Sequence, residues 1–167
     1  MNTYSLWLIP AGKEYVELYK IINRFSQKHS VPKFEPHVTL IGGIKAEREV
    51  VIINTKKTAS QIGALSLTLT NIGIGNKKHK AVFINCYQDE KIRNAYKKAK
   101  EIFKHQEVNF QPHVSLIYGF FKDEEKREMI KKIKSYPKRL KFTSTALYNT
   151  EDENEEKWYK IVNFKLW

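Results

Sequence analysis

The chain reads as a duplicated α+β domain, two similar halves meeting at a seam, and three observations predict it. An eleven-residue stretch occurs twice: Phe34-Glu35-Pro36-His37-Val38-Thr39-Leu40-Ile41-Gly42-Gly43-Ile44 returns as Phe110-Gln111-Pro112-His113-Val114-Ser115-Leu116-Ile117-Tyr118-Gly119-Phe120. The copies share Phe, Pro, His, Val, Leu, Ile and the second Gly, and Thr39 becomes Ser115 with its hydroxyl retained. The repeat also extends upstream, since Trp7 precedes His37 by 30 residues and Phe83 precedes His113 by the same interval. Finally, strand-like and helix-like periodicities alternate in the same order in both halves, giving a strand–helix–strand–helix–strand unit used twice. Two repeats are too few for a solenoid, so one bilobal domain over residues 1–167 is expected, with halves of about 1–75 and 76–167. Its natural ligand cleft is the seam between them.

Each element follows from its pattern. Residues 3–9 form a short apolar run stopped by Pro10-Ala11-Gly12, as in a buried strand. Leu18, Ile21, Ile22 and Phe25 recur at helical spacing and predict a helix from about Lys13 to Lys28. The first repeated stretch is a strand ended by Gly42-Gly43, and a weaker helix over 46–60 follows. Leu65, Leu67 and Leu69 alternate with Ser66, Thr68 and Thr70, the signature of a half-buried strand over 64–70. In the second half, 81–87 read as a strand, and Asp89 can cap a helix whose inner face is Ile92, Ala95, Tyr96, Ala99, Ile102 and Phe103. The second repeated stretch comes next, then a helix from Asp123 stopped near Pro137, with Met129, Ile130 and Ile133 inward. Strands over 139–148 and 157–166 flank an acidic turn and close the domain.

Composition bounds the function. The chain of 167 residues is 41% hydrophobic and 13% aromatic, so it can bury a sizeable core and is not disordered. A formal charge of +12 points to an anionic partner such as a nucleotide, a nucleic acid or a phosphorylated metabolite. The basic residues read as scattered over helices rather than gathered into a stripe, which favours a small nucleotide over a long RNA. Single Cys86 excludes an intrachain disulfide and sits among apolar neighbours as an inert thiol. No apolar run approaches the roughly 18 residues that span a bilayer, so no membrane association is expected. Met1 to Pro10 lacks a basic leader and a cleavage site, so a cytoplasmic or nuclear, unsecreted protein is expected.

The repeated stretch carries the chemistry. Side chains alternate across a strand, so Val38 and Leu40 can anchor one face while His37 and Thr39 share the other; His113 and Ser115 do the same in the second copy. Drift in a merely structural repeat would preserve the apolar residues and let the polar ones go. Two imidazoles and two hydroxyls around one seam suit acid–base work at a phosphate, because imidazole titrates near neutrality. One His takes a proton from water, the other protonates the departing alkoxide, and Thr39 and Ser115 donate to the nonbridging oxygens. A serine or threonine nucleophile with an activating base is the competing enzymatic reading. Neither motif has a Cys, Asp, Glu or second His at ligand spacing, so no metal and no cofactor are expected. His29 and His105 close helices, and His79 among Lys77, Lys78 and Lys80 reads as a solvated loop residue.

With these motifs the chain resembles the 2H phosphoesterase superfamily, defined by paired H-x-[ST]-x motifs, and within it the eukaryotic cyclic phosphodiesterases of plant and fungal type. YSLWLIP at 4–10, FEPHVTL at 34–40, QPHVSLIYG at 111–119 and TEDENEEKWYKI at 150–161 are similar to that branch in the same order. The resemblance implies two antiparallel sheets with outer helices around a central cleft. It implies hydrolysis of nucleoside 2′,3′-cyclic phosphates to 2′-phosphates, and opening of ADP-ribose 1″,2″-cyclic phosphate, a tRNA-splicing by-product, to the 1″-phosphate. It makes His37 the acid and His113 the base, and places Tyr118 in the substrate pocket with Trp7 and Trp158, although core packing suits both tryptophans. Tyr118 has the wrong strand parity to join His113 unless the strand bulges. Plant members carry several cysteines that can pair, so redox control seen there is not expected with Cys86 alone. A monomer acting on a small cyclic-phosphate nucleotide is expected. Enzymes of RNA 3′ ends that open cyclic phosphates or join 2′,5′ linkages remain the alternative, together with a non-catalytic phosphate-binding or 2′,5′-oligoadenylate-directed module on this fold.

Overall fold

Seven consecutive buried residues, Tyr4 through Pro10, make the strand Asn2–Pro10 (β1) central to the molecule. Alternation sends Tyr4, Leu6 and Leu8 into the main apolar core, while Trp7 and Ile9 point oppositely into a smaller cluster with Ala146 and Tyr148. The structure is a computed structural model that describes residues 1–106 and 109–167. After β1 the order is α1 (Lys13–His29), β2 (Val38–Ala46), α2 (Arg48–Ile62), β3 (Leu65–Lys77), β4 (Lys80–Cys86), α3 (Glu90–Phe103), β5 (His113–Ile117), α4 (Asp123–Lys131), β6 (Arg139–Asn149), a 3₁₀ turn (Glu155–Lys157) and β7 (Tyr159–Lys165).

Among the described residues all the strand pairings are antiparallel, in the order β2-β1-β6-β3-β4-β5 with β7 beside β6. The path divides at β3, whose residues 65–68 pair with β6 and whose later residues pair with β4. The last long strand of each repeat thus lies beside the first strand of the other: β3 on β4, and β6 on β1. The helices cross over too, α1 packing against β5 and α3 against β2. This is the α+β architecture that the two periodicities require. One continuous core runs through both lobes, from Leu18, Ile22 and Phe25 of α1 to Ile84 of β4 and Ile92 of α3. Asp89 caps α3 as its sequence position suggests, its carboxylate accepting from Ile92 N at 3.0 Å. Cys86 is buried in this core, which pushes its thiol up to about 12 and leaves it unreactive. Among the described residues no helix is long and apolar enough to cross a membrane.

Two elements differ from their expected lengths. The strand expected over 64–70 continues as β3 to Lys77, and the residue-75 boundary lies inside it. Gly73 and Gly75 serve close approach within the hairpin. A Cβ on Gly73 would sit 2.8 Å from the Phe83 ring, and one on Gly75 would sit 2.4 Å from Lys80 O. The helix expected to reach Pro137 ends at Lys131, where Lys132 and Ile133 bond three residues back, and Tyr136 is drawn away to donate its hydroxyl to Thr70 O at 2.6 Å.

Gly75→Ala forces β4 away from β3 and should destabilise the protein by about 1–3 kcal/mol in urea unfolding. Unchanged stability would show that the hairpin is not closely packed there.

Candidate active site

The two motifs are held alike. His37 immediately precedes β2 and His113 opens β5. Val38, Leu40, Val114 and Leu116 are all buried in the core and fix each strand from behind. In the ladders Thr39 lies opposite Trp7, and Ser115 opposite Phe83, so the matched upstream spacing of Trp7 and Phe83 from their motifs becomes a cross-strand register. His37 Nδ1 lies 2.7 Å from Glu35 O, and His113 Nδ1 lies 2.8 Å from Gln111 O. A carbonyl can only accept, so each Nδ1 carries the proton and each neutral ring offers Nε2 as an acceptor. Pro36 and Pro112, with their fixed φ, set the turn that brings a carbonyl onto the ring two residues later.

His37, Thr39, His113 and Ser115 line one cleft of about 1290 Å³, together with Trp7, Tyr118 and Trp158. All seven residues singled out in the sequence therefore come together. Trp7, expected as core, is both: buried, yet stacked flat on His37 with centroids 3.6 Å apart. Its other face lies 3.9 Å from Tyr148. At the second motif Phe83 meets His113 edge-on at 5.5 Å. Tyr118 reaches the cleft because β5 bulges: Val82 pairs with Ile117 but Phe83 pairs with Ser115, so one residue is skipped and the parity changes. Its hydroxyl lies 3.5 Å from His37 Nε2, and its ring stacks on Phe34 at 3.7 Å.

Burial governs the titration of this site. It pushes His37 down to about 3; the Glu35 carbonyl opposes the shift, and charge on His113 or His79 adds to it. His113 is also lowered, chiefly by burial and further by the Lys80 ammonium, against the Gln111 carbonyl. Tyr118 is raised well above the usual phenol range by burial, then by Glu155. Behind His37, the Glu35 carboxylate accepts from Tyr148, from Tyr15 at 3.3 Å and from Lys160 at 3.1 Å, tying its strand entry to α1, β6 and β7.

Three features escape the sequence reading. His79 is no free loop residue. Its Nε2 lies 2.7 Å from Glu155, its carbonyl accepts from Ser115 Oγ at 2.6 Å, and it lines the cleft. Glu155, one residue of the acidic run, is buried. The lysines that looked scattered converge, since Lys45, Lys77, Lys78, Lys80 and Lys104 line the cleft, with no carboxylate among its described lining residues. Only the Lys-His-Lys spacing at 78–80 hinted at this. Among the described residues no three His, Cys, Asp or Glu side chains converge as a metal-ligand set.

A family model described as "Cyclic phosphodiesterase-like protein" matches residues 1–166. The chain belongs to this family. It is a phosphodiesterase of the 2H class, the resemblance carried by its two motifs. It is 22% identical to the cyclic phosphodiesterase of Arabidopsis thaliana over 169 aligned positions, covering 96% of this chain and 93% of that one. Its fold is similar to Escherichia coli LigT, solved with 3′-AMP, at 13% identity and a TM-score of 0.63, covering 99% and 98% of the two chains. It is likewise similar to TT0787 of Thermus thermophilus, at 13% identity and a TM-score of 0.67, covering 98% and 97%.

Both site imidazoles of this cyclic phosphodiesterase relative have folded pKa values depressed from 6.5, so the stability they contribute is present above pH 6.5 and is lost as pH falls below it, for His37 toward about 3. Urea unfolding at stepped pH should show this acid loss, reduced in His37→Asn, and NMR should show the His37 ring neutral with its proton on Nδ1 at pH 5. A His37 titration at the ordinary value would contradict the burial argument.

Proposed function

We propose that this protein hydrolyses cyclic phosphodiesters, nucleoside 2′,3′-cyclic phosphates to 2′-phosphates and ADP-ribose 1″,2″-cyclic phosphate to the 1″-phosphate, with His37 and His113 as its acid and base. The observation that carries the reading is the matched pair of imidazoles, each with Nδ1 on a carbonyl so that Nε2 is its acceptor, each with a hydroxyl two residues on. Water attacks phosphorus and gives its proton to Nε2 of His113. The bond from phosphorus to one ring oxygen breaks, and that alkoxide takes a proton from Nε2 of His37. Thr39 and Ser115 donate to the nonbridging oxygens as charge builds. His37 is hard to protonate in the empty cleft, so its acid role depends on the substrate phosphate raising it on binding. Trp7, Tyr118 and Trp158 offer faces for a base or ribose. The 3′-AMP complex of E. coli LigT supports a nucleotide ligand for this fold.

His37→Ala and His113→Ala should each lower turnover by about 10²–10⁴ while the fold persists, and the double variant should lose less than the product of the two. Because both imidazoles are lowered in the free protein, kcat/KM should peak on the acid side of pH 6.5. The falling limb of kcat should lie at higher pH, where bound phosphate stabilises an imidazolium. EDTA should have no effect. Wild-type turnover in either single variant, or activity restored by zinc after chelation, would refute the mechanism.

The five cleft lysines favour a second reading, hydrolysis at an RNA 3′ end carrying the same cyclic phosphate. A turnover panel of a cyclic mononucleotide, ADP-ribose cyclic phosphate and RNAs of increasing length separates the two. For the nucleotide enzyme, kcat/KM should change little with RNA length and modestly with salt. A hundredfold rise with length that collapses at physiological salt assigns the protein to RNA ends.

A further inference from the structure

Three sequence features far apart in the chain meet beside the second motif: the turn at 77–80, the acidic run and Ser115. The Glu155 side chain is only 2% exposed, and its Oε1 accepts from both Lys78 Nζ at 2.6 Å and His79 Nε2 at 2.7 Å. Burial alone would push this carboxyl up, but Lys78, the backbone N–H of Glu155 itself and His79 together outweigh it and hold it below the usual carboxylate range, so it is charged at neutral pH. The turn is also fixed from the other side. Ser115 Oγ donates to His79 O at 2.6 Å, and Gly119 N donates to Lys78 O at 2.8 Å. The His79 ring stands edge-on to Tyr118 at 4.9 Å and against Trp158 at 5.2 Å.

We propose that Glu155 and His79 are positioning residues for the Ser115 hydroxyl. The buried carboxylate clamps the turn, the turn presents the His79 carbonyl, and that carbonyl fixes the rotamer of the serine. Ser115 has one O–H and cannot donate to the carbonyl and to a phosphate together. Charge developing on a phosphate oxygen must therefore draw the hydrogen bond away from His79 O, and the placement of that carbonyl sets how readily it is released. The device acts on the transition state more than on ground-state binding, so it belongs in kcat rather than KM. It rests on the cyclic phosphodiester reading of this site.

The test is a double-variant cycle of Glu155→Leu and Ser115→Ala, with turnover of adenosine 2′,3′-cyclic phosphate and thermal unfolding recorded for each protein. Ser115→Ala should lower kcat by about 10²-fold or less, the scale of one lost oxyanion donor. Glu155→Leu should lower kcat with little change in KM, and the double variant should fall no further than Ser115→Ala alone. Glu155→Gln keeps an acceptor for His79 and should retain most activity. Should the leucine variant fail to fold, His79→Phe removes the same hydrogen bond while leaving the carboxylate to Lys78. Glu155→Leu losses of equal factor with and without the Ser115 hydroxyl, or no loss at all, overturn the proposal. The cycle is repeated as calorimetric binding of adenosine 2′-monophosphate, whose phosphate dianion, unlike the cyclic monoanion, carries the charge that draws the Ser115 hydrogen bond, so the two losses should again be non-additive. A wild-type protein that turns over no cyclic phosphate sinks the functional reading, while the binding cycle still decides the positioning role.

Discussion

Exchange of strands between the repeats is the constraint on which the rest depends. Because β3 pairs with β4 and β6 with β1, neither repeat has a complete sheet of its own, and backbone hydrogen bonds cross the seam. The crossed packing of α1 on β5 and α3 on β2 adds side-chain burial to the same junction. Two domains joined by a linker would be expected to move relative to one another. Here the cleft walls share one core, so two histidines 76 residues apart in sequence face a fixed common space. The proposed acid–base chemistry at one phosphate needs that rigidity, since proton transfer tolerates little misplacement.

The cleft combines a dry floor with a basic rim. Burial beneath Trp7 and Phe34 keeps the His37 ring neutral in the empty cleft, so the proposed acid role requires a bound phosphate to charge it. The lysines around it supply attraction for an anion without placing a carboxylate among the described lining groups. Glu35 and Glu155 lie behind the reacting surface, each already engaged by several donors. Their charge holds strand entry and turn in place rather than repelling substrate.

The repeated stretch gives the site its pairs, and the surroundings give each motif its own support. Trp7 stacks flat on His37 where Phe83 only touches His113 edge-on. Glu35 ties the first motif to Tyr148 and Lys160, whereas its counterpart Gln111 accepts from Lys80 at 3.0 Å. The serine of the second motif is anchored to the β3–β4 turn. These differences make the two imidazoles inequivalent, as the proposed division into an acid and a base requires.

The sequence by itself determined the repeat, the faces of its strands and the two His–hydroxyl pairs that share the cleft. A period of two fixes which side chains face together, and a repeated polar pair survives in that phase for a reason other than packing. Helical spacing and the Asp89 cap likewise placed α1 and α3, because those signals are local. Only the tertiary structure decided the rest. Tyr118 enters the cleft through a bulge in β5, which is a property of its pairing with β4 rather than of its own residues. The lysines gather because loops and strand ends from both halves converge. His79 finds Glu155 across 76 positions, since a hydrogen bond between two turns leaves no periodic trace in the sequence.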